Sequence, residues 1–401
     1  MKARILVILS HWPNPNTPYL TMLYSRLYRR FPGMEFYAIN VNKVFIPEEI
    51  KIEDFININK RTKNQNSISK FSILNFSVII GLLIKLKSTL LIVKKFQKKG
   101  LDFKNIIGHL LRNESIINLE YDLVYYNALQ SVKHLPPDVY FPKAHIIASS
   151  RGKDFDYDFQ RTKNAIGQVN NLHVISDYLK SQAIKAGFSP EKIIKIYPAN
   201  TSSFPDSNRW TANNEINVCT IARFTWEKGL VYSIRAVAEL IKKMPSLKIN
   251  YYLIGDGIDL EKLKIEAIRL GVEDFVHFTG WLSQKDIEIY ISKSDIYLLL
   301  SISEGFNNSV IQAQYYGIPC VVSNAGGLSE NVLHNKTGIV VEKYNSQAAA
   351  TAMEDLIEDS EKRSNLSINA VEHARKNYNF NDQVDRYEDW INSSLNKSDN
   401  N

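Results

Sequence analysis

The sequence predicts an α/β protein whose two domains are each built on a parallel sheet. Apolar runs of strand length alternate with helix-like segments along the whole chain, and this order is typical of parallel sheets with right-handed crossovers. The 401 residues are long enough for two domains, and an apolar fraction of 44% can supply a core for each. No internal repeat or low-complexity tract interrupts the pattern.

The first half of the chain predicts one such domain, over residues 1–205. Its predicted strands are 5–9, 36–40, 123–126, 145–148 and 172–175. Ser176 can cap a helix that runs to about Ala186, where Gly187 ends it. Residues 198–214 are rich in Asn, Ser, Thr and Pro and lack periodicity, so we expect them to link the domains.

The second half predicts a second domain, over residues 206–380. Its predicted strands are 216–221, 250–254, 276–279, 295–300 and 320–323. The segment 381–396 has helical spacing at Val384, Tyr387 and Ile391, which predicts a final helix.

Positive charge is concentrated in one segment of the first half. The chain carries +7 overall, whereas residues 60–104 contain eleven Lys and Arg side chains and one acid, Asp102. A basic amphipathic helix is predicted at about 70–100, with Ile79, Leu83, Leu86, Leu90 and Val93 on one face and Lys85, Ser88, Lys95 and Lys99 on the other.

This basic helix has two interpretations. Its run 71–84 is only about two-thirds of the roughly 20 residues that a membrane span requires. The helix either lies in the plane of an anionic membrane surface or is a core helix with a solvated lysine face. No nucleic-acid-binding motif accompanies the charge, so we expect no nucleic acid partner.

Cysteine usage and the first residues bear on the compartment. Cys219 and Cys320 form no CxxC motif and no tight Cys/His cluster, which favours a reducing compartment and argues against structural zinc. Residues 1–9 lack a small-residue cleavage site, so we interpret them as the first core strand. We therefore expect a cytoplasmic protein that can lie peripherally at the inner face of the plasma membrane.

The most specific pattern lies between residues 296 and 330. An apolar strand ending at Leu300 is followed by Glu304, by a helix that Asn308 or Ser309 can cap, and by Gly317. The free N–H groups at that helix start would face a negatively charged ligand, and Glu304 would lie at the carboxyl edge of the sheet, where such folds bind ligands.

A second pattern follows the strand 216–221. Arg223 and Lys228, five residues apart at the carboxyl end of a strand, can converge on one diphosphate. Taken alone, such residues are usually ordinary surface cations.

Together these motifs resemble those of glycosyltransferase family 4, the retaining transferases of GT-B fold. The family's Glu-x7-Glu signature has Glu304 in its first position and Gln312 in its second, followed by Gly-x-Pro, Gly326-Gly327 and Glu330. Its Arg-x4-Lys-Gly pattern is matched by Arg223 and Lys228. Further turn motifs of the family are matched at 254–257 and 278–281.

The resemblance implies two Rossmann-like domains across a cleft and a last helix that crosses back to the first domain. It implies a metal-independent enzyme without cofactor that transfers a sugar from a nucleoside-diphosphate sugar with retention of configuration. Arg223 and Lys228 would hold the leaving diphosphate, and Glu304 would orient the donor sugar. The donor-binding set would be Arg223, Lys228, Gly305, Phe306, Asn307, Asn308 and Gln312.

The chain departs from the family at three places. Gln312 replaces the glutamate that accepts hydrogen bonds from ribose hydroxyls, so we expect nucleotide binding weaker by about 1.5–3 kcal/mol. Arg151 replaces the histidine of His-Gly-x-Asp, so it is either a sugar contact or a structural residue. The start, 10–18, lacks the usual Gly-Gly loop.

The acceptor would meet the first domain, where the basic helix lies. We therefore expect a saccharide acceptor, lipid-linked and at the membrane, in the assembly of a surface polysaccharide. Two alternatives stay open, a catalytically silent relative that only binds sugar nucleotides and a GT-B sugar-nucleotide epimerase. A dinucleotide oxidoreductase is disfavoured because no GxGxxG follows the first strand.

Overall fold

A computed structural model describes residues 3–12, 18–41, 82–117, 119–152, 154–157, 159–200 and 215–398. Residues 201–214 of the predicted linker 198–214 lie outside these ranges, as does the part of the predicted basic helix before residue 82. The domain boundary therefore stays a prediction.

The described residues form two six-stranded sheets, and every strand pair in them is parallel. The first sheet has the order β2-β1-β3-β4-β5-β6 and contains β1 (Ile5–Trp12), β2 (Glu35–Val41), β3 (Leu123–Tyr126), β4 (His145–Ser150), β5 (Asn171–Val174) and β6 (Ile193–Lys195). The second has the order β12-β11-β10-β7-β8-β9 and contains β7 (Glu215–Ile221), β8 (Lys248–Ile254), β9 (Val276–Gly280), β10 (Ile296–Leu299), β11 (Cys320–Ser323) and β12 (Gly338–Val341).

Helices connect these strands in the alternation that the sequence predicts. In the first half they are α1 (Pro18–Arg30), α2 (Leu86–Lys98), α3 (Phe103–Asn113), α4 (Pro137–Tyr140), α5 (Asp154–Tyr157), α6 (Phe159–Ile166) and α7 (Asp177–Lys185). In the second half they are α8 (Leu230–Lys243), α9 (Leu260–Leu270), α10 (Gln284–Ser292), α11 (Asn308–Tyr315), α12 (Leu328–Asn331), α13 (Ser346–Glu358), α14 (Ser360–Asn377) and α15 (Phe380–Ser398).

The predicted fold class is confirmed, and the two strands that were not predicted lie at sheet edges. Strands β6 and β12 each have a neighbouring strand on one side only. They are three and four residues long.

The last helix crosses back onto the first sheet. Successive residues of β1 point to opposite faces. Ile5, Val7 and Leu9 share one buried cluster with Tyr387 and Ile391 of α15, whereas the residues between them belong to another cluster. A helix that follows the second domain therefore covers one face of the first, as the resemblance implied.

We expect the substitution Ile391→Ala to destabilise the protein by about 2–5 kcal/mol, because it empties a fully buried site between α15 and the first sheet. Chemical denaturation followed by circular dichroism measures the loss. Ile368→Ala is the matched control, since this helical isoleucine is 53% exposed and should change stability by no more than about 0.5 kcal/mol. Equal losses in the two variants would contradict the crossing-helix packing.

Candidate functional site

The candidate site is formed by the turns at the carboxyl edge of the second sheet. Strands β7, β8 and β10 are neighbours, so the turns that follow them meet. A Cβ on Gly229 would overlap the carbonyl oxygen of Leu300, and one on Gly255 would overlap that of Ala222. These turns therefore pack backbone against backbone, and only glycine fits at these points.

Lys228 and Glu304 form a buried ion pair at this edge. Lys228 Nζ lies 2.6 Å from Glu304 Oε2, and both side chains are only about one-tenth exposed, at 11% and 10%. Ser301 Oγ is a further donor to the same carboxylate oxygen, at 3.4 Å. The structure thus brings together two predicted residues that are 76 positions apart. Removing either partner would leave the other as an unpaired buried charge.

Arg223 lies in the same turn as Lys228 but is exposed. Its guanidinium makes no ion pair or hydrogen bond to any described residue. The turn itself is fixed, because the Phe224 N–H donates to the carbonyl of Asp256 at 2.8 Å. Arg223 is therefore a cation held at the sheet edge and available to an anionic ligand.

The helix α11, which follows the turn after β10, is capped one residue earlier than the sequence analysis predicted. Asn307, rather than Asn308 or Ser309, caps α11, since its Oδ1 accepts from the Val310 N–H at 3.1 Å. Within the described chain, the N–H groups of Asn308 and Ser309 have no acceptor. These two N–H groups, at the positive end of the helix, can bind an anion, which fits the predicted role of this turn.

Asn331 holds this turn in place and was missed by the sequence analysis. It is fully buried on α12, where its Oδ1 accepts from the Asn307 N–H at 2.9 Å and its Nδ2 donates to the Asn307 carbonyl at 3.2 Å. Its place directly after Glu330 in a glycine turn was the available signal. A buried asparagine that satisfies both backbone polar groups of one residue fixes the donor turn rigidly.

Gln312 is buried on α11, with 9% of its surface exposed. Its Nε2 has no hydrogen-bond acceptor among the described residues. An unsatisfied buried donor is costly, and an acceptor atom on a ligand would satisfy it. A glutamate at this position would present acceptors only.

Gly305 and Phe306, two other predicted donor-binding residues, contact the first domain. A Cβ on Gly305 would lie 3.0 Å from the Cα of Gly152, so the two backbone segments touch there. The Phe306 ring stacks on Tyr197 with the ring centroids 5.2 Å apart. The Phe306 side chain therefore supports the turn from behind, and its contact with the donor stays a prediction.

Arg151 is part of a buried network beneath α15. Its Nη2 donates to Tyr387 Oη at 2.7 Å and to Tyr125 Oη at 3.0 Å. Tyr387 Oη is also 3.1 Å from Nδ1 of His173, and burial together with the Arg151 charge lowers the pKa of that histidine. This geometry gives Arg151 the structural role that the sequence analysis left open, and the sugar contact stays a prediction.

Other polar groups of the chain have ordinary structural roles. Asp154 is buried and accepts from Ser150 Oγ at 2.7 Å. In the described ranges, no group of three or more His, Cys, Asp or Glu side chains is arranged to hold a metal ion. Cys219 and Cys320 are free and buried in strands, and burial raises the pKa of Cys219 to about 12.

Two parallel Rossmann-like sheets, a returning last helix and a ligand site at the carboxyl edge of the second sheet define a protein of GT-B fold. Solved structures agree. HepE of Anabaena, in complex with UDP and glucose, superposes with a TM-score of 0.65 at 16% identity, over 98% of this chain and 100% of its own. The lipopolysaccharide outer core galactosyltransferase WaaB, in its apo form, has a TM-score of 0.65 at 16% identity, over 97% of this chain and 99% of its own.

A sequence comparison matches the second half of the chain to one family. Residues 205–373 match the family described as "Glycosyl transferases group 1". This match covers the predicted second domain and agrees with the resemblance carried by its motifs.

The matches to curated relatives cover less of the chain. A GDP-mannose-dependent alpha-(1-6)-phosphatidylinositol monomannoside mannosyltransferase of Mycolicibacterium smegmatis is 25% identical over 59% of this chain and 66% of its own length. A D-inositol 3-phosphate glycosyltransferase of Corynebacterium aurimucosum is 28% identical over 47% of this chain and 48% of its own length. The chain thus spans about half to two-thirds of the length of these relatives.

We expect Gly327→Ala to destabilise the protein by about 1–3 kcal/mol, because the added Cβ would overlap the carbonyl of Gly305 and force the donor turn to move. Gly327 has an ordinary φ of −74°, so the effect isolates the steric contact. Chemical denaturation measures it.

Gly167→Ala is the matched control for this prediction. The atom nearest to its new Cβ would be the Asn164 carbonyl oxygen at 3.7 Å, an ordinary contact. This variant should be unchanged or more stable by up to about 1 kcal/mol. If Gly327→Ala were as stable as this control, the close contact between the two turns would be refuted.

Proposed function

We propose that this protein is a retaining, metal-independent glycosyltransferase that moves a sugar from a nucleoside-diphosphate sugar to a saccharide acceptor. The observation that carries the proposal is the arrangement of charges at the carboxyl edge of the second sheet. Lys228 is paired with Glu304, Arg223 is exposed beside them, and two free N–H groups begin α11.

The proposed reaction breaks the bond between the anomeric carbon and an oxygen of the β-phosphate. Negative charge grows on that oxygen as the nucleoside diphosphate departs. Lys228, Arg223 and the N–H groups of Asn308 and Ser309 would stabilise it, which is the contribution that preorganised donors make to catalysis.

Retention follows if the acceptor attacks from the face that the diphosphate leaves. The acceptor hydroxyl forms the new bond to the anomeric carbon, and its proton passes to the departing phosphate oxygen. Glu304, already charged beside Lys228, would orient a donor hydroxyl and favour positive charge at the anomeric centre. No covalent glycosyl-enzyme is required.

The proposed donor class is supported by the fold neighbours. HepE of Anabaena has been solved with UDP and with UDP-glucose. The M. smegmatis relative is named for GDP-mannose. UDP-glucose and GDP-mannose both contain a nucleoside diphosphate, so the diphosphate is the shared chemistry and the base is open to test.

We expect UDP, GDP or ADP to raise the melting temperature of the purified protein, with EDTA present. A ligand at about 100 times its dissociation constant adds about 2.7 kcal/mol, which corresponds to a few degrees. The variants Arg223→Ala and Lys228→Ala should abolish the shift. Because Lys228→Ala also leaves Glu304 unpaired, each shift is measured against the same variant without nucleotide.

Two further variants sharpen this measurement. Lys293→Ala removes an exposed lysine just before β10, at the opposite edge of the sheet, and should retain the full shift. Gln312→Glu should enlarge the shift, since it restores charged acceptors for ribose hydroxyls. No shift with any nucleotide in folded protein would contradict the proposed diphosphate site.

The second part of the proposal concerns the acceptor, a lipid-linked saccharide reached at an anionic membrane surface during surface polysaccharide assembly. Support comes from an exposed apolar surface on and beside α2. Each of its members is between 51% and 79% exposed: Leu83, Ile84, Leu86, Leu90, Leu91 and Phe103. So large an exposed apolar group marks an interaction surface.

The structure corrects the predicted faces of this helix. Its buried face is formed by Thr89, Ile92 and Phe96, so Leu83, Leu86 and Leu90 do not belong to the core. Two of the predicted solvent-facing lysines contact Asp138. Lys95 Nζ donates to its backbone carbonyl at 2.6 Å, and Lys99 Nζ lies 2.7 Å from its carboxylate.

Three other lysines accompany the exposed leucines. Lys87, Lys94 and Lys98 are exposed and make no ion pair with any described residue. Near an anionic bilayer each would contribute about 1 kcal/mol. Interleaved leucine and lysine are typical of helices that lie in the membrane interface. No helix in the described ranges is long and apolar enough to cross a bilayer.

We expect Lys87, Lys94 and Lys98, all changed to glutamate, to release the protein from liposomes that contain anionic lipid. Leu90→Asp should do the same without altering the lysines, because it places a charge where a side chain would be buried in lipid. Co-sedimentation with anionic and with neutral liposomes measures both effects.

The control carries the same change of net charge elsewhere. Lys285, Lys293 and Lys336 are exposed lysines of the second domain, and their change to glutamate should leave sedimentation intact. Equal loss in both triple variants would mean that only net charge matters and would reject α2 as the membrane surface.

A further inference from the structure

Glu330 makes hydrogen bonds between the two domains. It lies on α12 of the second domain, and its carboxylate accepts from the N–H groups of Asp177 and Tyr178, at 2.7 Å each. These N–H groups begin α7 of the first domain, about 150 positions earlier in the chain. Each carboxylate oxygen takes one N–H.

The contact is specific because α7 is capped from both domains. The helix's own cap, Ser176, accepts from the Leu179 N–H at 3.1 Å. The first two N–H groups of α7 are left to Glu330. A negative group at the positive end of a helix is favoured, and bonds to a charged acceptor are the stronger kind.

Close packing surrounds the carboxylate. A Cβ on Gly326 would lie 3.1 Å from the Tyr178 ring, and one on Gly327 would lie 3.1 Å from the Cβ of Ser176. The Gly326-Gly327 turn therefore lets α12 approach α7 closely. Burial raises the pKa of Glu330.

The same short helix holds the donor turn. Asn331, the neighbour of Glu330, fixes Asn307 through two hydrogen bonds, and the Gly327 N–H donates to the Glu304 carbonyl at 2.8 Å. Helix α12 thus contacts the candidate donor site on one side and the first domain on the other.

We propose that Glu330 is a positioning residue that holds the first domain closed against the donor turn. This proposal rests on the proposed function only for what closure achieves. Closure would bring an acceptor on the first domain to the donor sugar. Opening the cleft here would separate Glu330 from α7 and expose a charged carboxylate and two N–H groups to water.

The test is the distance between the domains, measured by double electron–electron resonance on the full chain. Spin labels on Lys104→Cys and Glu273→Cys report from exposed positions on the first and second domains. The native cysteines are both buried, so a preparation without the added cysteines checks for background labelling. No nucleotide is needed.

We expect Glu330→Ala to lower the ratio of closed to open arrangement about tenfold, the effect of losing roughly 1.4 kcal/mol. A second, longer distance should then appear. Glu330→Gln, whose amide oxygen can accept only one of the two N–H groups well, should give an intermediate ratio.

Two controls separate closure from stability. Ser176→Ala removes the cap that α7 provides for itself, so it should lower the melting temperature without adding a longer distance. Glu361→Gln changes an exposed carboxylate of the second domain and should alter neither quantity. A folded Glu330→Ala protein with the wild-type distances would overturn the inference, whether or not the protein binds any nucleotide.

Discussion

The close approach of backbone turns at the carboxyl edge of the second sheet is the constraint on which the site depends. Gly229 meets Leu300, Gly255 meets Ala222 and Gly327 meets Gly305, and at each contact a Cβ would overlap a carbonyl oxygen. With no side chains between them, the turns after β7, β8, β10 and β11 form one continuous layer. Residues far apart in sequence are thereby held within a few ångströms, before any ligand arrives.

Much of the fold could be predicted because buried parallel strands are apolar along their whole length. The strands β3 and β11 have the predicted bounds, and β10 lies within the predicted range. The edge strand β6 lacks that signal because it is three residues long and only half-buried, whereas β12 carries an apolar run that the sequence analysis missed. The faces of α2 were predicted wrongly because helical spacing shows that an apolar face exists but not what covers it. Here the core takes Ile92 and Phe96, and the leucines face outward.

The site could be predicted residue by residue but not as a geometry. Motifs indicated Lys228 and Glu304, yet their ion pair depends on β7 and β10 being neighbours, which spacing along the chain does not reveal. Asn331 was missed because a lone asparagine has no pattern of its own, and its role appears only when it meets Asn307. Arg151 was ambiguous for the same reason. Tyr387, which lies 236 positions away, gives the guanidinium a partner.

The buried pair also explains how a cationic site can persist without its ligand. Burying the Lys228 charge without a partner would lower the free energy of unfolding, because the ammonium group loses its water. The Glu304 carboxylate offsets that cost. A diphosphate brings its own negative charge, so on binding it can share Lys228 and free part of the Glu304 carboxylate for the sugar. Arg223, exposed and without a partner among the described residues, would add the extra positive charge that favours this exchange in the proposed mechanism. In the proposed mechanism the pair is a resting arrangement whose two members would separate into a phosphate-binding cation and a sugar-orienting carboxylate.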